Sequence, residues 1–177
     1  MKNAFTMIEL VFVIVVLGIL SSIALPRMNA SRDDAEIVRL MTNIKTLTSD
    51  ITNYYNANGC LSNNPNFMSN VATFSSAAGG AHAGNGSCLA NGGSVSMHIR
   101  VKNKPCYALT YGVSEYMGAW VRIDGMSAGA SNACELAHNQ ATMKSMRDVS
   151  FTYTDETGAN KTAKGTRIGG LNPNKFR

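Results

Sequence analysis

Residues 5–25 read FTMIELVFVIVVLGILSSIAL, an almost continuous apolar run in which Glu9 is the only ionisable side chain. As an α-helix, these 21 residues rise about 31 Å, which is enough to cross the hydrocarbon core of a bilayer. Pro26 follows directly, and a proline cannot donate a hydrogen bond to the preceding turn. The stretch therefore predicts a membrane-spanning helix with a kink or break at Pro26.

The carboxylate of Glu9 calls for a partner, because an ionised acid inside a membrane costs about 3 kcal/mol near the bilayer centre. If residues 1–4 were removed as a leader, the new α-amino group of Phe5 would lie four residues before Glu9. In an assembly, the amine of a neighbouring copy would serve equally. A secretory signal fits poorly because no A-x-A site precedes a distinct mature domain. A plain signal-anchor leaves Glu9 unexplained.

Residues 4–10, Ala-Phe-Thr-Met-Ile-Glu-Leu, resemble the processing motif of the type IV pilins and type II secretion pseudopilins. The resemblance extends over residues 1–30, through the apolar run and Pro26. It implies that a prepilin peptidase cuts between Ala4 and Phe5 and methylates the Phe5 amine. It also implies that Glu9 pairs with this amine on an adjacent subunit, and that Pro26 marks a bend of the stem helix. Ala4 stands where the family usually has glycine, so slower cleavage is expected.

A second helical stretch begins at Ser31-Arg32-Asp33-Asp34, where a capping residue precedes acids in the first turn. Apolar residues then recur at helical spacing along one stripe. They are Ile37, Leu40, Met41, Ile44, Leu47, Ile51, Tyr54 and Tyr55. Asn58-Gly59 is a helix stop. The pattern predicts one long helix from Phe5 to about Ala57, in which residues 26–57 form an amphipathic stem packed on a globular head.

Four cysteines, Cys60, Cys88, Cys106 and Cys134, lie outside the apolar run and form no C-x-x-C motif. An even number of separated cysteines is typical of two disulfides in an oxidising compartment, and three pairings are open. The sequential pairing, Cys60 with Cys88 and Cys106 with Cys134, is preferred, and it closes two loops of equal span. Each bond would contribute about 3–4 kcal/mol in the chain-entropy model. Free buried thiols in a reducing compartment are the alternative.

The segment 58–94 carries no Asp, Glu, Lys or Arg and is crowded with Asn, Gly, Ser and Ala, which indicates a long connecting loop. From residue 95 to residue 177, alternating apolar and polar residues predict a β-sheet head. The predicted strands cover 95–101, 107–113, 118–123 and 149–153, with 161–168 as a hairpin partner and a short helix within 132–146. The expected fold class is α+β, with a long N-terminal helix packed on a small antiparallel sheet, as in pilins.

Ligand-binding candidates are few. The acids Asp124, Asp148, Asp155 and Glu156 are calcium candidates, because the resemblance includes major pseudopilins that bind calcium near the C-terminus. The sequence does not show their oxygens converging, as calcium requires.

The formal net charge of +5 is scattered, apart from a basic tail over residues 161–177 that suggests DNA or an acidic partner. Aromatic residues do not interleave with the cations of this tail, so base stacking is unsupported. The sequence contains no catalytic triad order, phosphate loop or HExxH motif. We therefore expect neither a cofactor nor an enzyme.

Together these features predict a structural pilin or pseudopilin subunit. The resemblance implies a single-pass precursor in the bacterial inner membrane, with its head in the periplasm and its filament there or at the cell surface. Implied partners are the lipid bilayer, prepilin peptidase, the inner-membrane assembly platform, and further subunits in a homo- or hetero-polymer. Protein secretion and DNA uptake are both open as its role, and a DNA-binding minor pilin of a competence system is the alternative.

Overall fold

The computed structural model describes residues 6–169, and for residues 23–31 it describes the backbone alone. The chain divides into two compact units, Met1–Glu36 and Ile37–Arg177. Ala4, Phe5 and residues 170–177 lie outside the described part, as does the side chain of Pro26.

The first element is helix α1, which spans Met7–Asn58. It includes the predicted apolar helix and the predicted amphipathic stem. The helix continues through Pro26 instead of breaking there, since a proline removes one hydrogen bond while the flanking turns can keep theirs. Among the described residues, no helix provides an apolar stretch of the length that crossing a membrane demands.

Within the second unit, α1 buries one stripe of its surface. Five aliphatic side chains recur at alternating steps of three and four residues, and each is at most 3% exposed. They are Ile37, Leu40, Ile44, Leu47 and Ile51. Burying one such side chain is worth about 1.5–3 kcal/mol. The helix stops as predicted: Gly59 has a φ of +70°, and its amide donates to the Tyr55 carbonyl at 2.8 Å.

The described residues contain six strands in an α+β arrangement. They are β1 (Ser94–Val101), β2 (Lys104–Ser114), β3 (Gly118–Met126), β4 (Ser150–Thr154), β5 (Asn160–Lys164) and β6 (Thr166–Arg167). An antiparallel sheet has the order β1-β2-β3-β6, and β4 and β5 form a separate hairpin. Lys102 and Asn103 join β1 to β2 with φ values of 50° and 61°, as a type I′ turn requires. The predicted antiparallel sheet is confirmed.

The central strand β2 supplies much of the core. Tyr107, Leu109 and Tyr111 are each fully buried and belong to the same hydrophobic cluster as the stripe of α1. The Tyr111 hydroxyl donates to the Ser62 carbonyl at 2.9 Å, so the buried phenol keeps a hydrogen-bond partner. Burial raises the pKa of Tyr111. The sheet thus packs on the stem helix through its apolar face, as the alternation predicted.

Two short helices replace the one predicted within 132–146. Helix α2 spans Asn132–Asn139, and helix α3 spans Ala141–Arg147. Gln140 separates them with an extended backbone, at φ −69° and ψ 141°. Ser131 caps α2, because its side chain accepts a hydrogen bond from the Cys134 amide. The residues around Gln140 include no glycine or proline that would have signalled the break.

The chain crosses between the two sheets at Gly165. β5 pairs with β4, whereas β6 pairs with Trp120 and Val121 of β3. Gly165 has a φ of +119°, and a Cβ atom there would lie 2.5 Å from the Val121 carbonyl oxygen. The predicted hairpin partner over 161–168 is confirmed for residues 161–164, which pair with β4, whereas the left-handed backbone at Gly165 redirects residues 166–167 to β3.

The segment 58–94, predicted as a connecting loop, is a packed part of the second unit. It contains a short 3₁₀ helix, Pro65–Phe67, and two isolated bridges, Ser62 with Cys88 and Phe74 with His98. Leu61 and Pro65 are fully buried. The second bridge covers part of the outer edge of β1, which limits unwanted pairing there.

Alanine at Gly165 tests the crossover. We expect Gly165→Ala to lower the free energy of unfolding by at least about 2 kcal/mol, because the added Cβ collides with backbone in a strained conformation. Gly158→Ala is the matched control, since Gly158 has a φ of +81° but open space around it. Its strain alone should cost about 1 kcal/mol. Chemical denaturation measures both variants, and equal losses would contradict the steric explanation.

Candidate functional site

The first unit presents an apolar surface. Every described side chain from 6 to 22 is exposed, including twelve large apolar ones between Met7 and Leu20 that are 37% to 83% exposed. Apolar residues occupy all sides of this part of the helix rather than one stripe. Such a helix is normally surrounded by lipid or by other protein.

Glu9 lies at the start of this surface and caps its own helix. Oε2 of Glu9 accepts hydrogen bonds from the Thr6 amide at 3.2 Å and from the Thr6 hydroxyl at 2.9 Å. The Glu9 amide donates in return to the Thr6 hydroxyl at 3.4 Å. This reciprocal arrangement is a capping box. Thr6-Met7-Ile8-Glu9 carries the T-x-x-E signal for it, which the interpretation of Glu9 as an acid awaiting an amine overlooked.

The capping box still leaves Glu9 able to accept further hydrogen bonds. An ionised carboxylate offers about four acceptor positions on two oxygens, and Thr6 uses only part of that capacity. The amine that the sequence assigns to Glu9 belongs to Phe5, outside the described residues. Cleavage after Ala4, methylation of Phe5 and the intersubunit pairing of Glu9 therefore stay predictions.

Two disulfides hold the second unit. Cys60 bonds to Cys88 and Cys106 bonds to Cys134, with Cα atoms 5.6 Å apart in each pair. This is the sequential pairing, and the chain has no free cysteine. The first bond closes segment 58–94 just after the helix stop, and the second attaches α2 to the buried strand β2.

The calcium candidates contact separate partners. Asp124 accepts hydrogen bonds from Thr110 and Arg122, whereas Asp148 pairs with Arg147 at 3.2 Å. These contacts use carboxylate oxygens that a metal would need.

Asp155 organises the turn between β4 and β5. Its Oδ1 accepts hydrogen bonds from the Thr157 amide at 2.9 Å, the Thr157 hydroxyl at 2.6 Å and the Ala159 amide at 3.0 Å. Its Oδ2 pairs with Lys161 at 2.7 Å. These donors, Lys161 foremost, hold the pKa of Asp155 well below its usual range. The carboxylate thus acts as a turn-forming group.

Glu156 accepts a hydrogen bond from the Tyr116 hydroxyl at 3.4 Å. Across the described residues, no three His, Cys, Asp or Glu side chains are grouped to hold a metal ion. Calcium binding stays a prediction, as does DNA binding by the basic tail. Within that tail Lys161 is paired, Arg167 donates to the Gly169 carbonyl at 3.3 Å, and residues 170–177 lie outside the description.

A polar cluster around His138 escaped the sequence analysis. The Tyr107 hydroxyl lies 2.7 Å from His138 Nδ1, and the two rings stack with centroids 6.0 Å apart. Arg147 Nη1 is 3.1 Å from the same nitrogen. Burial raises the pKa of Tyr107. Because the cluster joins β2, α2 and α3 beside the Cys106–Cys134 bond, we interpret it as a structural support of the head.

Comparison with known proteins adds no assignment. No family model, curated protein or solved structure matches this chain. Any function therefore has to be argued from the apolar helix, its capping box and the disulfide-bonded head.

Asp155→Asn tests the ion pair in the β4–β5 turn. Asparagine keeps a carbonyl acceptor for the turn amides but loses the charge opposite Lys161. Since the pKa of Asp155 is lowered in the folded state, its contribution is present above the unfolded pKa of about 3.9 and is lost as pH falls through the lower folded value. We expect the variant to have a lower Tm than the wild type at pH 7, and we expect this difference in Tm to disappear in acid. A difference in Tm that does not change with pH would contradict a stabilising ion pair between Asp155 and Lys161.

Proposed function

We propose that this chain is a structural subunit of a pilin-like filament, assembled through residues 5–25 after a leader of residues 1–4 is removed. The observation that carries the proposal is the exposed helix surface, with twelve large apolar side chains between Met7 and Leu20. The processing motif at residues 4–10 adds to it by resemblance.

The physical reason is the cost of leaving this surface in water. Soluble monomers rarely expose contiguous apolar patches beyond a few hundred Å², and larger ones mark membrane or protein contacts. Before assembly a lipid bilayer would surround the helix, and afterwards the helices of neighbouring copies would do so. The apolar side chains thus move from one apolar environment to another, so their burial alone does not favour assembly. Polar or charged groups that pair between subunits must supply the favourable free energy.

Glu9 is the group that we assign to this role. In an isolated chain, the Thr6 amide and hydroxyl stabilise its carboxylate. Those donors are neutral, so they leave the charge uncompensated. The α-amino group of a processed Phe5 on the adjacent subunit would neutralise it, which favours the polymer over separate chains.

The disulfides support a location outside the cytoplasm. Two such bonds in a domain of this size are typical of the periplasm or the cell exterior. We propose an inner-membrane precursor with a periplasmic head, processed by prepilin peptidase and taken up by an inner-membrane assembly platform.

The first test is the mature N-terminus. Co-expression with a prepilin peptidase should remove residues 1–4 and leave N-methylated phenylalanine at position 5, as measured by intact mass and peptide sequencing. Ala4→Gly should be processed faster, since the family usually has glycine there. An intact Met1 in the presence of active peptidase, or cleavage elsewhere, would sink the proposal.

A series at position 9 separates charge from capping. Glu9→Gln retains the capping-box acceptor and loses the charge, whereas Glu9→Ala loses both. If charge drives assembly, both variants should be processed and membrane-inserted yet form at least tenfold fewer filaments by quantitative electron microscopy. Thr6→Ala is the control that weakens the cap and keeps the charge. Normal assembly of Glu9→Gln would show that Glu9 serves only as a cap.

A further inference from the structure

A groove in the second unit lies between the stem helix and the edge of the sheet. It has a volume of about 460 Å³. Its apolar lining comes from β3 and from the chain around the end of α3, namely Val121, Ile123, Met146 and Val149. Lys45 and Thr48 of α1 belong to the opposite wall. We call this feature the basic groove.

The groove exists because the sheet edge is short there. β6 pairs with Trp120 and Val121 only, so that no strand continues beside Ile123. Gly165 precedes β6 and connects it to β5, which pairs with β4 instead of with β3. The open side of β3 and the facing surface of α1 are therefore left without a covering strand in the described part of the chain.

The charge of the groove has one sign. Its described lining includes two cations, Lys45 and Arg122, and no Asp or Glu. Arg122 is occupied, since it pairs with Asp124 and stacks over Trp120. Lys45 is exposed on α1 and has no ion-pair partner among the described residues. A segment that carries a carboxylate next to small or apolar side chains would match this lining, since the carboxylate can pair with Lys45 and the other side chains can contact the apolar residues.

The same chain carries such an element. Residues 33–36, Asp-Asp-Ala-Glu, contain three of the eleven acids of the protein and are followed by Val38, whose side chain is 63% exposed. We call residues 33–36 the acidic segment. The charge difference extends further: residues 6–36 hold four acids and two basic residues, whereas residues 37–169 hold seven acids and eleven basic residues.

We propose that the basic groove of one copy receives the acidic segment of a second copy, with Asp34 facing Lys45. The inference rests on the proposed function, because copies must first be brought together through their apolar helices. Two different, complementary surfaces on one chain make a heterologous contact, and such a contact repeats into an open helical polymer unless its rotation closes a ring. The contact would fix the offset between the two copies that share it, in addition to the pairing of Glu9 with Phe5 proposed above.

Charge reversal with rescue tests the contact. Lys45→Glu, Asp34→Lys and the double variant are made in the full-length, processed chain, and polymerisation after detergent removal is followed by sedimentation. Each single variant should raise the critical concentration roughly fivefold, the effect of turning one exposed ion pair into a repulsion. The double variant should return to within about twofold of the wild type.

The controls separate this contact from general effects of charge and folding. Lys144→Glu reverses an exposed helix lysine outside the groove and should leave the critical concentration unchanged. Thermal unfolding of the detergent-solubilised variants establishes that each one is folded.

Two results would overturn the contact, provided that the wild type polymerises. One is that neither single variant changes the critical concentration, and the other is that the double variant polymerises no better than the worse of the two single variants. A wild type that never polymerises would instead overturn the proposed function, and this contact with it.

Discussion

The head depends on the burial of one stripe of α1 beneath the antiparallel sheet. Ile37, Leu40, Ile44, Leu47 and Ile51 fill the space next to Leu109 and Tyr111 and share one core with them. A small sheet with one apolar face is not stable alone and needs such a cover. Five aliphatic side chains, each worth about 1.5–3 kcal/mol on burial, together match the whole net stability of a typical domain.

The segment 58–94 has to be held by other means, because it lacks charges and offers few apolar side chains for burial. The Cys60–Cys88 bond closes it, and the Leu89 amide donates to the Leu61 carbonyl at 2.7 Å beside that bond. The Asn63 side chain donates to Asn85 and Ser87, both at 3.0 Å. The disulfide reduces the entropy of the unfolded chain, and the amide network then selects one conformation for a segment rich in glycine.

The parts of the fold that follow from local periodicity could be predicted. The stripe of α1 and the strands β1 to β3 repeat with the period of a helix or a strand, so neighbouring residues suffice to identify them. Contacts between distant residues could not be predicted in this way. The hydrogen bonds of Asn63 span more than 20 residues, and the turn at Gly165 depends on the position of Val121. The Thr6–Glu9 capping box was also predictable, because its T-x-x-E pattern lies within four consecutive residues.

That capping box changes the argument about Glu9. An ionised acid in an apolar stretch needs a partner, and Thr6 supplies two donors to one of the Glu9 carboxylate oxygens. Neutral donors lower the cost of the buried charge without removing it, because a net charge in a medium of low dielectric still loses its solvation. An adjacent ammonium group cancels the charge as well as donating. In a separate chain, the ionised Glu9 carboxylate therefore still costs free energy in the bilayer. Pairing with an ammonium group of an adjacent subunit would remove this cost, and Glu9 would favour the assembled state by that amount.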